Sequence, residues 1–91
     1  MKKIIKDNYI STVKRGLITS KTTKKQFIDK IEEEFIELWH AFTSETNKEF
    51  NYELADVILV CLNLAKHYDI DIMKYLKKKI KINEKRAENG K

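Results

Sequence analysis

Phe27, Ile31, Phe35, Leu38 and Phe42 recur at intervals of four, four, three and four, which draws one apolar stripe along an α-helix. The stripe predicts a helix from about Lys24 to Phe42. Thr23 and Gln26 precede it with capping-box spacing, each side chain placed to satisfy the other's exposed amide. An earlier helix is predicted from Lys2 to about Arg15, stopped by Gly16, with "LITSKTT" as the loop between the two. After the loop "TSETNK", a third helix is predicted from about Glu49 to Tyr68. Its middle, "LADVILVCLNLA", is apolar nearly all round and is expected to be buried on most sides. Asp69 or Asp71 can cap a fourth helix running to about Ala87, with Leu76, Ile80 and Asn83 on its inner face. The pattern predicts an all-α fold, a four-helix bundle in a single domain, 1–91. A central helix apolar on every side exceeds the need of a small monomer, so the bundle is expected to be completed by oligomerisation, as a homodimer or homotetramer.

Composition supports this picture. The chain has 91 residues, no proline and two glycines, which suits long helices and argues against a turn-rich β-sandwich. Charged residues make up 36% and hydrophobic ones 42%, a globular rather than a disordered profile. The longest apolar run, Val57 to Leu62, is too short to span a bilayer, and the N-terminus has no apolar run of signal-peptide length. A cytoplasmic protein without membrane contact is the expectation. Cys61, the only cysteine, reads as a small core residue.

The formal net charge is +5, and the excess gathers near the C-terminus at Lys74, Lys77, Lys78, Lys79, Lys81, Lys85 and Arg86. A basic segment can attract nucleic acid, an anionic membrane or a small phosphorylated molecule, and charge alone does not choose among them.

The acids are more selective. Glu34 and Glu37 sit three apart on the second helix, to one side of its stripe and at the edge of the core. Glu53 and Asp56 repeat the spacing on the third. Either pair alone would read as ordinary surface charge, Glu34 or Glu37 with Lys30 as a partner. Two matched pairs, each bordering an apolar face on neighbouring helices, point to a site. Four converging carboxylates repel one another and resist desolvation, so cations are needed to hold them together. An all-oxygen ligand set suits the hard ions Mg²⁺ or Mn²⁺ rather than zinc.

These residues carry a resemblance. "EEEFIEL" followed by "ELADVILVCLNLAKHYDID" resembles the MazG-like nucleoside triphosphate pyrophosphohydrolases of the all-α NTP pyrophosphatase superfamily. Their mark is E-x-x-E, a spacer, then E-x-x-D, matched here by Glu34, Glu37, Glu53 and Asp56. The tail "KIKINEKR" resembles the family's K-x-x-x-N-x-x-R ending through Lys79, Asn83 and Arg86. The resemblance runs from about Lys24 to Arg86 and implies Mg²⁺-dependent cleavage of a nucleoside triphosphate to the monophosphate and pyrophosphate. It implies that the four acids are the metal-binding and catalytic residues, with Lys79, Asn83 and Arg86 as phosphate ligands. The remaining lysines of the tail read as a solvated face.

Trp39 and His40 depart from the pattern. Trp39 is a possible base contact, since aromatic faces stack on any base, although a lone tryptophan at a core edge more often packs or lies in an interface. Glu37 and His40 have the Glu-x-x-His spacing of di-iron bundles, but the second such motif these need is absent. Two other functions stand beside the hydrolase: a small basic helical protein that binds nucleic acid, which leaves the four acids unexplained, and a family member that binds nucleotide without catalysis.

Overall fold

The computed structural model describes residues 1–44 and 46–90; Glu45, within the predicted second loop, and Lys91, at the end of the predicted domain, lie outside the described residues. The chain is all-helical: α1 is Lys2–Lys14, α2 Lys24–Ser44, α3 Asn47–His67 and α4 Ile72–Glu88.

Local chemistry sets the helix ends. Gly16, at φ 74°, turns the chain out of α1. The amides of Gly16 and Leu17 return to the carbonyls of Val13 and Thr12, the Schellman arrangement that a left-handed residue permits. Thr23 and Gln26 form the predicted box, with the Thr23 amide donating to Gln26 Oε1 at 2.8 Å and the Gln26 amide to Thr23 Oγ1 at 3.2 Å. A second box, Thr46 with Glu49, starts α3 two residues earlier than the apolar pattern indicates. At the end of α3, Asp69 takes the left-handed position at φ 55°. The Ile70 amide reaches back to Ala65 O at 2.8 Å, and the Asp71 side chain caps α4 by accepting from the Lys74 amide.

The short connection at Thr46 folds α2 and α3 into a hairpin, and α1 lies along α3. Ile18, Phe27, Ala41, Leu62 and Ala65 form the buried apolar core. Polar bonds fasten α1 to it. Asn63 is only 6% exposed; its Oδ1 accepts from Asn8 Nδ2 at 2.8 Å and its Nδ2 donates to Thr12 Oγ1 at 3.1 Å. The Thr12 hydroxyl in turn donates to Asn8 O. His67 ties three segments: Nε2 lies 3.0 Å from Thr22 O and Nδ1 2.8 Å from the Tyr9 hydroxyl. A carbonyl only accepts, so Nε2 donates to Thr22 O.

Three expectations are corrected. The seam of α2 against α3 steps by seven through Phe27, Glu34 and Ala41, all buried, while Phe35, at 56% exposed, and Phe42 face outward. The apolar arc of α2 is wider than its one helical neighbour can cover. For the same reason α3 is not enclosed within the chain: Leu54, Ile58 and Cys61 are exposed, and Cys61 is not a core residue. Finally, α4 does not pack inward through Leu76 and Ile80, which are exposed, and the helix has no buried residue. The Cα radius of gyration is 15.4 Å, against about 12 Å for a compact chain of this length.

Candidate metal centre

The hairpin brings three of the four acids together. One carboxylate oxygen from each of Glu34, Glu37 and Glu53 lies within 4.8 Å of the others. Glu34 sits in the seam itself at 8% exposed, Glu53 faces it half-buried from α3, and Glu37 stands at the solvent edge. The spacing explains this placement: three residues on a helix turn by about 300°, so Glu37 keeps to the flank when Glu34 faces α3.

One oxygen of Glu34 is spoken for. Lys30 Nζ donates to Glu34 Oε1 at 3.1 Å and to Glu33 Oε1 at 3.2 Å. The bond to Glu34, first among its contacts, raises the Lys30 pKa and keeps it a cation. The other oxygens are not satisfied: Glu34 Oε2 and Glu53 Oε2 are both buried without a hydrogen-bond partner. The charge of Glu34, then desolvation and the charge of Glu53, push the Glu37 carboxyl above its ordinary value.

Two orphaned, buried carboxylate oxygens beside a third carboxylate are costly unless a cation completes them. A hard divalent ion fits this all-oxygen donor set, with waters or phosphate oxygens as its remaining ligands. Glu34, Glu37 and Glu53 are the residues that would hold it.

Asp56 is exposed and does not join this group, but it shares a cleft with Glu34. The cleft, about 510 Å³, opens between α1, the 17–22 segment and the hairpin, a size that suits a small-molecule ligand. Its walls include Lys30, Glu33, Glu34 and Asp56 at the acidic end, and Asn8, Thr12, Arg15 and Asn63 on the α1 side. Sequence reasoning passed over Asn8, Thr12 and Asn63; the one visible signal was an asparagine inside the apolar run "VILVCLNLA".

The other site candidates lie apart from this cleft. Lys79, Asn83 and Arg86 are exposed on α4. Trp39 is exposed at 58% and stacks on Phe42, ring centroids 5.6 Å apart, on a different side of α2 from Glu34.

The fold and site define an all-α helical hairpin that gathers carboxylates from two facing helices, and comparison of the chain with family models identifies its kind. The model of the MazG-like family matches residues 18–91, and the chain belongs to that family. Comparison with curated proteins and with solved structures returned no match. Among the described residues, no helix is long and apolar enough to cross a membrane.

Proposed function

We propose that the protein is a Mg²⁺-dependent nucleoside triphosphate pyrophosphohydrolase of cytoplasmic nucleotide pools, releasing the monophosphate and pyrophosphate from an NTP or dNTP. The observation that carries this reading is the pair of buried, unpartnered oxygens of Glu34 and Glu53 beside Glu37. The matched family supports it.

A divalent ion held there would supply charge neutralisation for the triphosphate and would lower the pKa of a water for attack on phosphorus. Glu34 and Glu53, facing each other across the seam, would hold the ion, and Lys30 holds the Glu34 carboxylate in place. Glu37 and Asp56 lie toward solvent, where a carboxylate can orient a water or accept its proton. The cleft beside Glu34 and Asp56 takes the nucleoside, and its asparagine amides offer hydrogen bonds to a base or sugar. Lys79, Asn83 and Arg86 bind phosphate oxygens, the arginine through its planar fork. Mn²⁺ substitutes for Mg²⁺ in such a ligand set.

The test is product analysis over a panel of ribo- and deoxyribonucleoside triphosphates with Mg²⁺ and with Mn²⁺. At least one substrate should yield monophosphate and pyrophosphate in equal amounts. Glu53→Gln should lower that rate by about 100-fold or more. A diphosphate and orthophosphate product pair, or no product with any triphosphate, would overturn the assignment.

A further inference from the structure

We propose that α4 carries a docking stripe for single-stranded nucleic acid, formed by Lys74, Lys78, Lys81 and Lys85 with the ring of Tyr75. The stripe is separate from the hydrolytic reading and uses none of the residues assigned there.

Spacing builds the stripe. The four lysines follow one another at four, three and four residues. At about 100° per residue they fall within an arc of about 60° and run for about 16 Å along the helix axis. All four are exposed. The two acids of α4, Glu84 and Glu88, stand on one flank of the stripe, and among the described residues the lysines in ion pairs are Lys3, Lys25 and Lys30. The four charges are thus left to a partner from outside the helix. Helical phase sets Leu76, Ile80 and Asn83 on the far side of α4, so whatever covers that apolar face leaves the lysines facing solvent.

Lysines alone would make a solvated face; Tyr75 adds a second element. Its ring is 54% exposed, and the Nζ atoms of Lys74 and Lys78 each lie 5.8 Å from its centroid. A line of cations beside an exposed aromatic ring suits a single strand: the lysines track the phosphates, and the ring stacks on a base of any kind. At about 3.4 Å of axis per phosphate on one strand, the stripe spans about five phosphates, enough to meet all four lysines. A duplex keeps its base faces in its own stack and gives the ring no partner. A helix lying in a membrane surface needs a continuous apolar face, and that of α4 is interrupted by Asn83 and flanked by Lys79. The clustered acids Glu34, Glu37 and Glu53 stand on α2 and α3, so they do not oppose a phosphate chain along this side of α4.

Fluorescence anisotropy tests the proposal with a labelled, mixed-sequence single strand of about 12 nucleotides, bearing hydroxyl ends so that it offers no triphosphate. Wild type should bind it more tightly than the matching duplex. Each phosphate neutralised on a single strand contributes about −0.7 to the slope of log affinity against log salt, so four contacts predict about −2.8. Lys78→Ala with Lys81→Ala should reduce the slope to about −1.4 and leave pyrophosphate release unchanged. Lys21→Ala with Lys48→Ala removes the same charge from exposed positions outside α4 and should keep the wild-type slope. Tyr75→Leu should weaken binding about tenfold, while Tyr75→Phe, which retains the ring, should bind as wild type. Absence of binding, equal slopes for the two double variants, or equal affinity for the duplex would overturn the proposal. So would affinity for polyglutamate or for phosphatidylserine vesicles at or above that for the single strand. If the wild type releases no pyrophosphate, the proposed function falls, while the binding measurements still decide the stripe.

Discussion

Burying a carboxylate in a helix seam costs several kcal/mol unless its oxygens find partners, and Glu34 has a partner for one oxygen only. The same imbalance acts on Glu37 at the solvent edge. Its pKa is raised, chiefly by Glu34, so the metal-free folded chain binds that proton more tightly than the unfolded chain does. The stabilisation from protonation is fully present below the ordinary glutamate pKa and is lost as pH rises through the raised value. Thermal midpoints of the metal-free protein should therefore fall as pH rises through that window. Glu37→Gln, which cannot ionise, should flatten the fall; an unchanged slope would contradict the repulsion. Asn63 makes a second residue-scale case. Asn63→Ala removes the acceptor for Asn8 and the donor to Thr12 and should cost about 1–3 kcal/mol in urea unfolding. A cost near zero would mean that water replaces the amide.

Helix caps were legible in the sequence because they depend on neighbours a few residues apart. Thr23 with Gln26, Gly16 and Asp71 act as their residue types suggest. Gly16 has open space where a Cβ would stand, so Gly16→Ala should cost only the left-handed backbone, about 1 kcal/mol by denaturant titration. A much larger loss would reveal a packing role. The phase of the seam was harder to read. The apolar residues of α2 cover a broad arc, and the stripe Phe27–Phe42 was drawn through its middle, whereas α3 occupies one edge of it and takes Glu34 with Phe27 and Ala41. Apolar spacing shows that a helix has a face; which part of that face meets a given neighbour depends on the rest of the fold.

At the scale of the molecule, the acid pairs were legible because two short spacings recur on adjacent helices, and the hairpin does unite Glu34, Glu37 and Glu53. The polar ring of Asn8, Thr12 and Asn63 was not, since it joins residues more than fifty positions apart. The direction of α4 was equally hidden: Leu76 and Ile80 announce an apolar face, but a periodic pattern cannot say whether its own chain or another covers it.

The central claim is that Glu34, Glu37 and Glu53 form a divalent-cation site, and Mn²⁺ titration followed by electron paramagnetic resonance tests it most directly. The free-ion signal should fall with saturable binding in the wild type. Glu53→Gln should weaken that binding by about 10- to 100-fold, while Lys77→Ala, on the remote face of α4, should leave it unchanged. Mn²⁺ binding that is absent in the wild type, or identical in Glu53→Gln, would contradict the assignment of the cluster as a metal centre.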